Sequence, residues 1–275
     1  MTYFGFLLGF LALPILILIV LTYRDLRLER TIPSNLQFLS PRLVIAALTV
    51  IAVIYTTPWD NYLVANMVWW YDPALVTGIT LGWVPLEEYT FFVLQTIMTG
   101  LWLVFLARRI STSIPISAHK NLCRISAITV SLIWVAATIL LLSGWEPGTY
   151  LALELIWAIP PIALQFVIGA DILWHYRQLV GITLITSTLY LSAVDLIAIR
   201  SGTWTINPEM ALGVLVGGVL PVEEVIFFFL TNALLVFGLV LALAKASSYR
   251  LPRLFGQLPS VESETCDIER PPKIQ

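Results

Sequence analysis

Of the 275 residues, 59% are hydrophobic and 12% charged, and the mean hydropathy is +0.89, more apolar side chain than the core of a water-soluble domain accommodates. The net charge of −2, with no basic run, gives no nucleic-acid footprint, and the two cysteines, Cys123 and Cys266, are too few and too scattered for a disulfide framework or a metal site. Several apolar stretches of about 20 residues, each able to cross a hydrocarbon layer of about 30 Å, predict an all-α integral membrane protein; the polar-apolar alternation of a membrane barrel is absent.

Taken in order, seven transmembrane helices are expected, over 3–23, 43–58, 86–107, 125–143, 150–173, 179–199 and 219–244. The first has no basic residue before it and no small-residue cleavage site, so it reads as a retained span and not a removable signal peptide. The runs 74–84 and 210–218 are also apolar. Taken with the third and seventh spans they exceed one crossing, and Pro85 and Pro221 interrupt them, which predicts a kinked, tilted helix or a short re-entrant piece. With seven spans, Arg24, Arg27, Arg30, Arg42, Arg108, Arg109, Lys120, Arg124, Arg177, Lys245, Arg250 and Arg253 all fall on one side, and Arg200 alone falls on the other. Basic loops stay cytoplasmic, so the N-terminus is expected outside and the C-terminus inside the cytoplasmic membrane. The tail 247–275, with Pro252, Pro259, Pro271 and Pro272 among scattered charges, is expected to be disordered.

The chain says one thing twice. Pro85-Leu86-Glu87-Glu88 is followed by Phe91-Phe92, and Pro221-Val222-Glu223-Glu224 by Phe227-Phe228. Around these, Asp60 answers Asp195, Trp69 answers Trp204, Asp72-Pro73 answers Asn207-Pro208, Gly78 answers Gly213, and Pro14 answers Pro160-Pro161. Two three-helix repeats, 1–110 and 149–246, are therefore expected, joined by a linking loop and helix over 111–148. The linking helix makes the repeats parallel, related by an axis along the membrane normal, which sets both motifs at one depth.

On a helix, residues four apart share a face, so Glu87 sits over Phe91, Glu88 over Phe92, Glu223 over Phe227 and Glu224 over Phe228. Carboxyls within a membrane are expensive, and buried ones close together do not all ionise, which supplies proton donors beside acceptors. Ringed by aromatic faces that stabilise a cation, such groups suit protonation of an alkene and removal of a different proton, an isomerisation of a lipid-soluble polyene without net redox change.

The doubled P-x-E-E-x-x-F-F pattern, the Thr57-Pro58-Trp59-Asp60 stretch and the duplicated seven-span layout resemble the membrane-embedded lycopene cyclases, in their single fused form, over about residues 1–245. These occur as two small subunits in some bacteria, as one chain in archaea and other bacteria, and joined to phytoene synthase in fungi. The resemblance implies cyclisation of the ψ-ends of lycopene to β-ionone rings, giving γ-carotene and then β-carotene, with lycopene and membrane lipid as the partners. It leaves open whether copies associate with each other or with other carotenoid-pathway enzymes. No aspartate-rich prenyl-diphosphate motif follows, so no fused synthase is expected. Carried over, Glu87, Glu88, Glu223 and Glu224 are the candidate acids and bases, with Asp60 and Asp195 behind them; Phe91, Phe92, Phe227, Phe228, Trp59, Trp69 and Trp204 are candidates for holding the polyene. Trp70 and Tyr71 fall in the same stretch, where interfacial anchoring competes with a channel role.

Val225-Ile226 stands where the first motif has Tyr89-Thr90, so the two halves are expected to differ. Glu154 and Asp171 have no counterpart in the repeat; Asp171, one turn before His175, is expected at the cytoplasmic rim, and Asn232 in a bond across helices. No G-x-G-x-x-G follows a strand, and His119 and His175 are the only histidines, so neither an organic cofactor nor a metal is expected. A retinal-binding protein needs a lysine in mid-span, whereas Lys120, Lys245 and Lys273 lie elsewhere. The competing class is a proton-coupled carrier with parallel repeats.

Overall fold

The computed structural model describes residues 1–110 and 119–250. Among these residues seven helices are long and apolar enough to cross a membrane: α1 (Tyr3–Arg27), α2 (Pro41–Ala65), α3 (Leu86–Ala107), α4 (Lys120–Leu142), α5 (Thr149–His175), α6 (Arg177–Arg200) and α7 (Val222–Leu243). Each expected span falls on one of them, the seventh beginning at Val222 and not at 219, and the protein is an all-α membrane protein. Residues 111–118 of the linking loop and 251–275 of the tail, with Cys266, lie outside the described residues.

The apolar runs before α3 and α7 are neither kinked helix nor re-entrant helix. They form two antiparallel hairpins, β2 (Thr80–Leu81) with β3 (Val84–Pro85), and β5 (Leu215–Val216) with β6 (Leu220–Pro221). Turn glycines decide this: Gly82 has φ +71°, and Gly217 and Gly218 have φ +61° and +72°, angles that break a helix and suit a tight turn. Pro85 and Pro221 then stand at the N-caps of α3 and α7, where their missing N–H costs nothing. A further ribbon, unforeseen in the sequence, joins the two halves: β1 (Trp69–Tyr71) pairs antiparallel with β4 (Trp204–Ile206), with Trp70 opposite Thr205 at its centre. This ribbon brings the starts of α3 and α7 to the same end of the bundle.

The prolines inside spans explain several long-range bonds. A proline frees the carbonyl four residues before it, and in hydrocarbon that carbonyl needs another donor. Pro14 frees Phe10, whose carbonyl accepts the Tyr190 hydroxyl at 2.7 Å. Pro161 frees Trp157, whose carbonyl accepts the Tyr55 hydroxyl at 2.7 Å. Pro160 frees Ile156, which accepts the Trp134 indole N–H at 3.1 Å and so fixes α4 on α5. The first two bonds cross between the halves.

Helices α3 and α7 carry the most buried faces and cross through polar pins: Gln95 donates to Thr231 at 3.0 Å, and Thr99 to Asn232 at 3.0 Å. At the end opposite the hairpins, Asp25 on α1 receives both guanidinium nitrogens of Arg109 at 2.8 Å. Asp171 on α5 receives Arg250 at 2.5 and 2.8 Å, and the Asp171 carboxylate holds the Arg250 guanidinium above its ordinary pKa. Each clasp ties the opening helix of one half to the residues that follow its closing helix.

Candidate active site

The site is built from the first turns of α3 and α7. Four backbone N–H groups at a helix start lack partners, and the end carries partial positive charge, so acidic residues are stabilised there. The two glutamates of each motif divide this setting. Glu87 turns back and accepts the Thr77 N–H at 2.6 Å, and Glu223 accepts the Leu212 N–H at 2.6 Å. These outer carboxyls staple the chain before each hairpin to the helix that follows it.

The inner carboxyls, Glu88 and Glu224, turn about 100° further round the helix and line one buried cavity of about 40 Å³. Tyr3, at the start of α1, donates its hydroxyl to Glu88. Tyr150, at the start of α5, donates to Glu224 at 2.7 Å. Glu88 takes a second hydroxyl, that of Tyr71 at 3.1 Å, and Tyr71 in turn accepts the Trp69 indole N–H at 3.1 Å. Burial and the neighbouring Glu88 hold the Tyr71 hydroxyl well above the ordinary tyrosine pKa, so it stays a donor. On the other side the Trp204 indole donates to Asp195 at 2.9 Å, and Asp195 interacts with Glu224.

Aromatic and apolar side chains complete the wall: Phe91, Phe227, Phe228, Trp69, Trp204 and Ile206. Phe91 and Phe228 meet edge to face with centroids 6.3 Å apart, and Tyr3 lies 4.9 Å from the Trp204 ring. Asp60 is fully buried, within electrostatic reach of Glu88, and neither of its carboxyl oxygens has a hydrogen-bond partner among the described residues.

Trp59 and Phe92 fall outside this wall. Trp59 is stacked between Trp157 at 4.5 Å and Phe227 at 5.8 Å and donates to the Leu153 carbonyl at 3.1 Å. Phe92 lines a second, apolar cavity on the far side of Phe227. Trp70 is half-buried in the ribbon, and Asn232 bonds across helices to Thr99 and, at 3.4 Å, Thr188.

Three groups went unmarked as candidates. Tyr3 and Tyr150 are single tyrosines at helix starts, and only the recurrence of Tyr at the opening of both halves singles them out. Glu154, set aside for want of a counterpart, is fully buried on α5 one turn from Tyr150 and feels both Glu223 and Glu224. Among the described residues no three His, Cys, Asp or Glu side chains group as metal ligands.

What the arrangement does chemically follows from its contents. Carboxyls this close in a largely apolar cavity do not all carry charge, so proton donors and acceptors stand together among aromatic rings. Such a set of groups can give and take a proton beside an apolar molecule.

The chain is 37% identical over 197 residues to the lycopene beta-cyclase of Halobacterium salinarum, a match covering 72% of this chain and 81% of that one. It is 38% identical over 206 residues to the bifunctional lycopene cyclase/phytoene synthase of Gibberella fujikuroi, covering 70% of this chain and 33% of the relative, and 35% identical over 226 residues to that of Podospora anserina, covering 79% and 38%. The chain thus spans about a third of the fungal proteins and most of the archaeal one. No family model matches the chain, and no solved structure does. With carboxyls and tyrosines of both halves meeting in one aromatic cavity, and with that identity over most of a curated cyclase, the chain belongs to the lycopene cyclase family.

Proposed function

We infer that the chain is a lycopene β-cyclase, in which Glu224 gives a proton to the terminal alkene of a ψ-end and Glu88 stands as the carboxylate that balances and quenches the cation. The observation that carries this reading is that Glu88 and Glu224, from motifs 136 residues apart, line one aromatic cavity. The proton adds to the less substituted carbon of the terminal alkene and leaves a tertiary cation at the dimethyl carbon, a neighbouring alkene closes the ring on that cation, and a proton lost from the ring carbon next to the new cationic centre restores a double bond. Protons in and out balance, so the step is an isomerisation without redox change.

The two sides of the cavity support these roles. Glu88 accepts two tyrosine hydroxyls, which supports the acceptor role given to it. Glu224 accepts one tyrosine hydroxyl and has two carboxyls beside it, Asp195 and Glu154, where Glu88 has Asp60, which supports placing the proton donor on that side. The rings of Trp69, Trp204, Phe91 and Phe228 offer their faces to the cation.

The halves read as parallel repeats about an axis through the β1–β4 ribbon. A two-fold there requires an antiparallel pair with Trp70 and Thr205 opposed, as in the register found. Orientation in the cytoplasmic membrane follows the basic loops, with the ribbon outside and the Asp25 and Asp171 clasps inside. The carrier reading draws no support from the relatives.

Expression in lycopene-accumulating cells tests the assignment. Wild type is expected to replace lycopene with ring-containing pigment. Glu88→Gln and Glu224→Gln are each expected to remove at least 99% of ring formation while the protein stays in the membrane. Wild-type cyclisation by both variants would falsify the roles assigned.

A further inference from the structure

The cavity between Glu88 and Glu224, at about 40 Å³, holds no more than a water or two. An isoprenoid end group with its attached polyene needs far more room, and that room lies next door. Across Phe227, which lines both spaces, an apolar groove of about 170 Å³ runs between α2, α3, α5 and α7. It extends from Thr56 to Leu48 on α2 and from Phe227 to Leu235 on α7, about 12 Å along each helix at 1.5 Å per residue. It therefore leads from the level of the carboxyls toward the middle of the bilayer.

Several of its polar residues spend their donors within the bundle: the Gln95 amide donates to Thr231 at 3.0 Å, the Gln165 amide to the Leu234 carbonyl at 2.9 Å, and the Tyr55 hydroxyl to the Trp157 carbonyl. The surface left toward the groove is mainly hydrocarbon and aromatic, with Trp157 and Phe92 on its walls, and the Trp157 indole N–H and the Gln165 Oε1 have no partner among the described residues. On the other side of the bundle, a space of about 360 Å³ between α1, α3 and α6 carries the matching Tyr190 and Pro14, yet it shares no lining residue with the carboxyl cavity.

From these features we propose that the groove between α2, α3, α5 and α7 is the seat of the polyene chain of the substrate, and that displacement of the Phe227 ring joins it to the carboxyl cavity when an end group enters. This rests on the cyclase reading above. The occupant is a conjugated polyene and not a lipid acyl chain because the groove ends against the proton-transfer site, where only a chain bearing an alkene terminus has chemistry to do.

Ala52, on the groove wall, and Ser187, at the matching position of the opposite space, make a controlled pair. Ala52→Phe fills the groove with a ring and touches none of the carboxyls; Ser187→Phe fills the other space. In lycopene-accumulating cells Ala52→Phe is expected to lower ring formation at least tenfold, and Ser187→Phe to stay within twofold of wild type. Lycopene retained through detergent purification, measured on each variant in the Glu88→Gln/Glu224→Gln background, reads binding without turnover and is expected to fall at least tenfold with Ala52→Phe only. Thermal melting of each variant separates occlusion from unfolding: if Ala52→Phe melts early, Ala52→Leu, a smaller filling, replaces it and is held to the same two readouts. Equal lycopene retention and cyclisation by a folded groove-filled variant and by wild type overturns the proposal and leaves the groove as an acyl-chain seat. Absence of cyclisation by wild type, with lycopene retention still sensitive at Ala52, removes the enzymatic reading and keeps the groove.

Discussion

Removing one hydroxyl distinguishes the two sides of the cavity. Tyr150→Phe deletes the donor to Glu224 and leaves the ring in place. If Glu224 is the acid, it becomes a carboxylate as the alkene is protonated, and the Tyr150 hydrogen bond strengthens as that charge grows. A hydrogen bond to a buried charged group is worth about 1.5–3 kcal/mol; with roughly half of the charge formed at the transition state, about 0.75–1.5 kcal/mol of stabilisation is lost, a slowing of roughly four- to twelvefold. Tyr3→Phe deletes the equivalent donor to Glu88, but the Tyr71 hydroxyl at 3.1 Å still serves that carboxylate, and quenching a carbocation is downhill. The expected slowing is less than twofold. Tyr89→Phe serves as control, because the Tyr89 hydroxyl bonds Leu81 and Asn61 away from the cavity. Initial rates of ring formation in detergent-solubilised enzyme, with pigments resolved by chromatography, give the comparison. Equal slowing at Tyr3 and Tyr150, or none at Tyr150, would refute the assignment of donor and acceptor.

The outer glutamates are expected to behave as structure. Glu87→Gln and Glu223→Gln, whose amide oxygens still accept from Thr77 and Leu212, should lower stability by about 1 kcal/mol each and keep more than a tenth of the activity; a loss as deep as that at Glu88 would place them in the chemistry. Arg109→Met leaves the buried Asp25 with Arg108 at 3.7 Å and the exposed Arg30 at 3.8 Å. The cost should be about 2 kcal/mol, below the roughly 3–5 kcal/mol of a pair broken in a closed interior, read as a lower melting temperature with kcat unchanged. Gly82→Ala sets a Cβ 2.1 Å from the Asn61 carboxamide oxygen at φ +71°, and displacing Asn61 also loses its bond to the Trp83 N–H at 2.7 Å. That should cost about 2–3 kcal/mol, whereas Gly144→Ala, with the same φ and open space around it, should cost about 1 kcal/mol; equal melting temperatures would show that the Asn61 contact carries no weight.

Much of this was legible because it is written in local spacing. The seven spans follow from apolar run length, and the doubled motif follows from two carboxyls and two phenylalanines at helical intervals. What escaped depended on partners distant in the chain. The three-residue strands at Trp69 and Trp204 carry no periodicity to read and exist because each half supplies one edge to the other. The hairpins were hidden by composition: Thr80, Leu81 and Val84 look like more helix until Gly82 is given its positive φ. The Glu-Glu doublet announced that at least one carboxyl faces protein, but both are buried, at 1% and 9% exposure for Glu87 and Glu88, and only the position of the hairpin backbone separates staple from cavity wall. Glu154 is legible as an intramembrane carboxyl but has no twin in the first half, and the absence of a twin is what distinguishes the second half.

That difference bears on why the motif is doubled. A site made by two identical halves about a two-fold axis offers the same group to both faces of whatever lies on the axis. Proton addition followed by proton removal asks for the reverse, a donor on one face and an acceptor on the other. The chain departs from symmetry at the positions that touch this need. Tyr71 supplies Glu88 with a second hydroxyl, and the corresponding residue of the other strand is Ile206. Glu154 stands four residues after Tyr150 beside Glu224, and the residue four after Tyr3 is Leu7. One half carries an additional donor beside its carboxyl, the other an additional carboxyl. Duplication on this reading did not build two active sites; it built the two unlike walls of one, and a substrate with two reactive ends meets that single cavity one end at a time.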